Sequence, residues 1–304
     1  MDKIERINSI IEQTRESEQR EVERQAAARA EVAEVEAERA RKRYEAHKAR
    51  IDEKERSREE KAVRRGERTE ERRKLHMAKR ELRIAKAHLA FVRNEPPVLT
   101  RMEEFGNYAS HGLGVLLAVA GLVLLLVKSN TGMKVMASLF YGISMILMFL
   151  DSALYHGMPA GSGVKRILRR FDYSSIYLLI GGTFAPVFLI YWGTTAAVVL
   201  FCVQWGLIVG GILLLAVFGP GRYYWVHNLL YFVIGWSAIA FLPGWWMHNR
   251  PLFWMVLAGG VIYTVGMIPF VRDKRGDHFI FHLFVLAAAV VHWFAIYFFI
   301  YDPT

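Results

Sequence analysis

Seven stretches of about 20 mainly apolar residues follow one another after Arg101. An α-helix rises about 1.5 Å per residue, so each stretch can cross a hydrocarbon core about 30 Å thick. Helices satisfy all of their backbone hydrogen bonds within one segment, as lipid requires. The chain is therefore predicted to be an all-α membrane protein, with spans at roughly 106–128, 134–156, 172–191, 195–217, 226–243, 252–271 and 278–301.

Charge is concentrated in the first 100 residues, which hold 27 Lys/Arg and 22 Asp/Glu and leave 12 and 7 for the rest of the chain. This segment is dense in strong helix formers, and its apolar positions are too sparse for a sustained heptad seam. We predict a charged helical or partly coiled-coil cytoplasmic arm over 1–95, with disorder as the alternative. A linker at 96–105, begun by two prolines, precedes the seven-span domain at 106–304.

The distribution of basic residues predicts the orientation of the chain. With the amino terminus inside, three Lys/Arg fall in outer loops and eight fall in inner loops: Lys165, Arg166, Arg169, Arg170, Arg222, Arg272, Lys274 and Arg275. The positive-inside rule then predicts a cytoplasmic amino terminus and an outer carboxyl terminus in the plasma (bacterial cytoplasmic) membrane. The first apolar run also begins too late for a cleavable signal peptide.

The part of the arm nearest the membrane is basic, since residues 39–95 carry 21 bases and 11 acids. Such a segment is attracted to anionic headgroups. It predicts a contact with anionic lipid or with a protein through the arm, whereas a nucleic-acid partner is not expected.

Histidines near the ends of three spans predict a metal site. His278 and His282 are four residues apart, so they share one helix face about 6 Å apart along its axis. His156 supplies a third imidazole from the second span, and three histidines with an open fourth position are typical of catalytic zinc. Since Cys202 is the only cysteine, thiolate ligands cannot build this site. The alternative for the His278/His282 pair is an interfacial polar cluster.

Two other side chains at the same predicted face have expected catalytic roles. Asp172 is expected to accept a hydrogen bond from metal-bound water or to act as its general base. Ser152, four residues before His156, is expected to orient water or a substrate carbonyl. Polar residues within spans are costly in lipid, so each is a functional candidate. The start of the first span adds Glu104, Asn107, Ser110 and His111.

Other polar residues have simpler interpretations. For His111 and His292, a hydrogen-bonded packing role is the alternative, and His292 lies too far along the seventh span to share the site. His227, at the edge of the fifth predicted span, and His248 are assigned to loops, and no specific role is expected for either. Tyr155 is interpreted as an interfacial anchor.

Four blocks carry a family resemblance: EEFGNYASHGLG (103–114), SALYHGM (152–158), RRFDYSSIYLLIGGTFAP (169–186) and HFIFHLFVLAAAVVH (278–292). They resemble the signature blocks of the hemolysin III family, which belongs with the progestin and adipoQ receptors, including the adiponectin receptors. The resemblance implies a seven-helix bundle of inverted topology relative to G-protein-coupled receptors. It also implies zinc on His156, His278 and His282, beside Asp172 and Ser152. The arm is not part of the common pattern.

Three functions follow from these observations. Family members with this site are thought to be lipid-amide hydrolases of the ceramidase type, so the resemblance implies a zinc-dependent hydrolase whose lipid substrate enters the bundle from the membrane. The first alternative is a membrane sensor or receptor in which zinc is structural and the arm transmits the response. The second alternative is a hemolysin-like lytic protein.

Overall fold

The computed structural model describes residues 3–28, 44–57, 70–272 and 274–302. These residues are almost entirely helical, and no strand occurs among them. The chain forms two compact units, Met1–Leu99 and Thr100–Thr304.

The amino-terminal unit contains the predicted helical arm as separate helices: α1 (Lys3–Ala28), α2 (44–57) and α3 (Glu70–Asn94). Helices α1 and α3 pack against each other, and Arg15 and Glu81 form an ion pair of 3.4 Å between them. The ring of His88 on α3 stacks on that of Tyr44 in α2, with 3.2 Å between centroids. Over its described residues the arm is helical as predicted, with contacts among these helices. The parts of the predicted arm at 1–2, 29–43 and 58–69 lie outside the described residues.

The second unit has seven helices long and apolar enough to cross a membrane, which confirms the predicted number of spans. The elements are α4 (Arg101–Val127), α5 (Gly132–Gly157), α6 (Gly163–Ala185), α7 (Thr195–Phe218), α8 (Tyr224–Gly235), α9 (Leu242–His248), α10 (Arg250–Arg272) and α11 (Asp277–Ile296). Helices α8 and α9 form the fifth span together.

The third span begins at Gly163 rather than near residue 172. Ser162 caps α6 by accepting a hydrogen bond from the backbone of Lys165, and this cap starts the helix two turns earlier than hydropathy predicts. Lys165 and Arg169, expected in an inner loop, therefore lie within the helix. Hydropathy predicts the start of a span just after the charged segment. The helix itself begins earlier, at the residue that follows the Ser162 cap.

Three spans depart from regular α-helix at defined points. Pro186 ends the α-helical part of the third span, which continues as a π-helix over Pro186–Trp192 because proline has no backbone N–H to donate. The fifth span changes to a 3₁₀ turn at Ser237–Phe241, which ends two residues before Pro243. A π-helix at Tyr297–Tyr301 closes the seventh span.

Packing brings the beginning and the end of the second unit together. Helix α4 packs on α5, α5 packs on α6, and α11 packs on both α10 and α4. Short connections make successive spans antiparallel, so the start of α4, the end of α5 and the starts of α6 and α11 meet at one end of the bundle. We call this the histidine end. Small residues allow neighbouring helices to approach closely. At Gly182 of α6, for example, an added Cβ would lie 2.6 Å from the side chain of Ser144 on α5.

Candidate metal centre

Three histidines converge at the histidine end of the bundle. Nε2 of His278 lies 3.2 Å from Nε2 of His156 and 3.1 Å from Nε2 of His282. Their nitrogen ligand atoms all lie within 4.8 Å of one another. His156 and His282 are 3% and 2% exposed, so the cluster is enclosed by protein. The structure brings together the three residues that the sequence predicts as ligands.

The spacing of these nitrogens suits a metal ion. Nitrogen ligands at 2.0–2.1 Å from a tetrahedral ion are separated by about 3.3 Å, close to the two Nε2 separations found here. Hydrogen bonds alone cannot satisfy all three nitrogens. Nε2 of His278 has either one lone pair or one N–H in the ring plane, so it can form a good hydrogen bond with only one of its two Nε2 neighbours. A cation interacts favourably with all three lone pairs. The cluster is therefore chemically suited to hold a metal ion.

Glu104 sets the orientation of His156. Its Oε2 lies 2.7 Å from Nδ1 of His156. A carboxylate only accepts, so Nδ1 carries the proton and donates it, which leaves Nε2 with its lone pair toward the cluster. The amide nitrogen of Asn107, one turn further along α4, lies 3.4 Å from the same Nδ1.

Lys165 adjoins the candidate metal centre, although its charge predicts a place in an inner loop. Its Nζ lies 2.8 Å from Oε1 of Glu104 and donates to the carbonyls of Tyr155 and Met158 at 3.0 and 3.1 Å. Lys165 is 0% exposed, so its charge is neutralised within the protein. A sequence signal was available: Lys165 precedes Asp172 by seven residues, which places the two on one face of a helix.

The remaining candidates of the first span also lie in this region. His111 is 1% exposed, and its ring stacks on that of His282 with 3.8 Å between centroids and 20° between planes. Ser110 donates its hydroxyl to the carbonyl of Asn107 at 3.1 Å, which is a local helix contact. His111 thus supports a ligand candidate by packing, whereas Ser110 stabilises its own helix.

Ser152 and Asp172 face the cluster across a cavity of about 130 Å³. Both are buried, and their side chains are hydrogen-bonded. His278 and His282 line the same cavity, and the rest of its wall is mostly apolar. The structure thus brings a hydroxyl, a carboxyl group and two of the three clustered imidazoles to one enclosed space.

Some of the simpler interpretations are wrong. His227 lies in α8 rather than a loop, is 1% exposed, and its Nδ1 lies 2.9 Å from the hydroxyl of Tyr177. Tyr155 is buried beneath the ammonium group of Lys165, 4.7 Å from its ring centroid, so it does not lie at an exposed rim. His248 ends α9 and is exposed.

The fold and the site together define an integral membrane protein with seven spans and a buried cluster of three histidines. The family model of haemolysin-III-related proteins matches residues 99–293. The chain belongs to this family.

Curated relatives agree with this assignment. Hemolysin-3 of Bacillus cereus is 34% identical over 212 residues, covering 66% of this chain and 96% of the relative. The Hemolysin-3 homolog of Bacillus subtilis is 33% identical over 207 residues, with the same coverage. The human monocyte to macrophage differentiation factor is 26% identical over 213 residues, covering 67% of this chain and 88% of that protein. The chain is similar to each of them through its seven-span unit.

Proposed function

We propose that this protein is a zinc-dependent hydrolase of lipid amides, similar in reaction to a ceramidase. The observation that carries the proposal is the placement of His278, His282, Ser152 and Asp172 around one largely apolar cavity. Apolar lining suits an acyl chain, and the polar residues gather where the reacting bond would lie.

Zinc is the metal we propose because its ligands are three neutral imidazoles from His156, His278 and His282. Bound zinc acts as a Lewis acid that polarises a carbonyl and lowers the pKa of water. Glu104 holds His156 in the ligating tautomer, and Lys165 neutralises and positions Glu104. These contacts give the site a fixed shape before substrate enters.

The proton steps are assigned to Asp172. Its carboxylate accepts a proton from the water that attacks the amide carbon, and returns it to the amine nitrogen when the carbon–nitrogen bond breaks. The hydroxyl of Ser152 orients Asp172 through their hydrogen bond. One amide and one water thus yield one carboxylic acid and one amine.

Turnover of N-acylsphingosine by the purified full-length protein tests this proposal, with released fatty acid measured by mass spectrometry. The expected result is release by wild type, loss in His278→Ala, and reversible loss on chelation and return of zinc. His248→Ala is the matched control because His248 is exposed and outside the cluster. A protein that retains zinc but cleaves no lipid amide would instead support a structural metal.

A second candidate is a membrane sensor, favoured by the separate helical amino-terminal unit. In this proposal the metal is structural, a lipid enters the cavity and the arm transmits the change. Deleting residues 1–95 should then abolish the cellular response to the lipid while leaving the zinc content unchanged. A cellular response that survives the deletion argues against transmission through the arm.

The printed name of the Bacillus relatives suggests a third candidate, lysis of membranes. Lysis through the bundle itself requires dye leakage from liposomes at low protein density, independent of the three histidines. If dye leaks only when the protein cleaves lipid amides, the lysis is a consequence of the hydrolase reaction and not of the bundle itself.

A further inference from the structure

Two adjoining cavities run along α11. The cavity of about 130 Å³ contacts the clustered histidines, and a second one of about 90 Å³ is lined by apolar residues that include Trp245, Leu252 and Ile300. Six residues line both cavities: Ile180, Thr183, Gly235, Trp236, Gly260 and His292. We call this shared zone the junction.

The order of lining residues gives the direction of this space. On α11 the first cavity is lined from His278 to His292, and the second from His292 to Ile300 in the following π-helix. From His282 to Ile300 the axial rise is about 27 Å. The two cavities together therefore offer a long, narrow and mainly apolar path that starts at the candidate metal centre, which is the form of a single lipid chain.

His292 interrupts this apolar path at the junction. Its Nε2 lies 3.1 Å from the carbonyl oxygen of Val256. A carbonyl only accepts, so the neutral ring carries its proton on Nε2 and keeps a lone pair on Nδ1. Nδ1 is buried and has no hydrogen-bond partner among the described residues. The junction thus contains a buried acceptor whose tautomer is fixed by α10.

The packing of the ring determines which edge remains for a ligand. Gly259 on α10 faces the Nε2 and Cδ2 edge of His292, where an added Cβ would collide with the ring. The Nε2 edge is therefore occupied by α10, and Nδ1 lies on the flank of the ring. His292 lines both cavities, and Nδ1 is the ring nitrogen that α10 does not occupy.

The other polar groups at the junction already have partners. Thr183 donates its hydroxyl to the carbonyl of Leu179 at 2.7 Å, and the indole of Trp236 donates to Thr264 at 3.0 Å. Thr264 in turn donates to the carbonyl of Gly260 at 2.8 Å. Among the six junction residues, all within the described part of the chain, His292 is the one with a buried side-chain polar atom that has no hydrogen-bond partner.

We propose that Nδ1 of His292 accepts a hydrogen bond from a hydroxyl group in the middle of the bound lipid chain. His292 follows His282 by ten residues, an axial distance of about 15 Å. An extended chain advances about 3.5 Å in three bonds, so this distance takes about 13 bonds and the hydroxyl falls on about carbon 14 when the carboxyl carbon is at the histidine cluster. The ligand class is therefore an acyl chain hydroxylated at mid-chain. Placing its carboxyl end at the cluster rests on the proposed function.

Competition binding to the purified full-length protein tests the subsite without requiring turnover. The probes are stearic acid, stearic acid hydroxylated at about carbon 14 (the mid-chain isomer), and an isomer with the hydroxyl close to the carboxyl group. One added hydrogen bond between neutral groups predicts that wild type binds the mid-chain isomer about three- to tenfold more tightly than stearic acid. The isomer hydroxylated near the carboxyl group should show no such gain.

Two variants test whether His292 causes the tighter binding of the mid-chain isomer. His292→Leu should bind both acids equally, whereas Thr183→Val, altered at the same junction, should retain the preference because the Thr183 proton is donated to Leu179. Equal binding of stearic acid and the mid-chain isomer by wild type would overturn the proposal, and so would a preference that survives in His292→Leu. If His292→Leu does not fold, the proposal is still tested by whether wild type binds the mid-chain isomer more tightly than the isomer hydroxylated near the carboxyl group.

The same measurements separate this subsite from the proposed hydrolase. A protein that prefers the mid-chain isomer but cleaves no amide retains the subsite and refutes the hydrolase. A protein that cleaves lipid amides while binding both acids equally retains the hydrolase and refutes the subsite.

Discussion

Oε2 of Glu104 lies 2.7 Å from Nδ1 of His156, so a carboxylate at the start of the first span determines the tautomer of a ligand at the end of the second. The opposite oxygen of Glu104 lies 2.8 Å from Nζ of Lys165 on the third span. One side chain therefore couples three spans at the candidate metal centre. These three consecutive helices are joined at this end by charged groups as well as by packing contacts.

Replacing Glu104 with glutamine should weaken zinc binding about 10- to 100-fold, because an amide oxygen holds the imidazole N–H less strongly than a carboxylate does. Zinc affinity is measured by competition with a calibrated chelator in detergent. Asp302→Asn is a suitable control, since Asp302 pairs with Lys128 rather than with the cluster. An unchanged affinity in Glu104→Gln would show that His156 is oriented by other contacts.

Replacing Lys165 with methionine should destabilise the seven-span unit by about 3–5 kcal/mol, because it leaves the carboxylate of Glu104 partly buried beside the cluster. The double variant Glu104→Gln/Lys165→Met removes both charges and should recover most of that loss. Reversible denaturant unfolding in mixed micelles measures both free energies. Strictly additive effects would contradict the coupling between these two residues.

Much of the candidate site could be predicted from helical spacing. The interval of four residues places His278 and His282 on one face, and the same interval relates Ser152 to His156. Periodicity is a local property of one helix, and the structure confirms that His156, His278 and His282 come together.

Residues that depend on contacts between helices were less predictable. Lys165 has the sequence signature of a loop cation, and its burial requires the carboxylate of Glu104 from another span together with two carbonyls. The sequence likewise predicts a loop at His227. Its burial in α8 depends on Tyr177, a hydrogen-bond partner 50 residues away in sequence. A hydropathy pattern identifies which residues are apolar, but not which distant partner makes a polar residue tolerable.

Replacing Asp172 with asparagine should leave zinc bound but reduce lipid-amide turnover about 10²- to 10⁴-fold, the usual contribution of a general base. Asparagine is nearly the same size and does not accept a proton from water. The measurement combines zinc content with fatty-acid release from the same preparation. The matched control is Asp151→Asn, which removes a neighbouring carboxylate that does not line the cavity. Full turnover in Asp172→Asn would assign the proton transfer to another group.

Removing zinc should lower the unfolding temperature of the seven-span unit, because in the proposed site the ion would join α5 to α11 through His156, His278 and His282 in the folded state. At free zinc about 100 to 1,000 times Kd, the loss amounts to about 3–4 kcal/mol. Differential scanning measurements with and without chelator give the shift. His156→Ala, which lacks one ligand, should show a lower unfolding temperature that chelation does not lower further. A wild-type midpoint insensitive to chelation would exclude a stabilising role for the metal.

The predicted orientation is testable because Cys202 is the only cysteine of the chain. In a Cys202→Ser background, single cysteines replace Ser9 in the arm and Asp302 after the last span. A membrane-impermeant maleimide applied to intact cells should label Asp302→Cys and leave Ser9→Cys unlabelled until the membrane is permeabilised. The physical reason is the excess of basic residues in the loops assigned to the cytoplasm, together with the basic 39–95 segment. Labelling in the reverse order would place the histidine end, and any lipid-amide cleavage there, at the outer face.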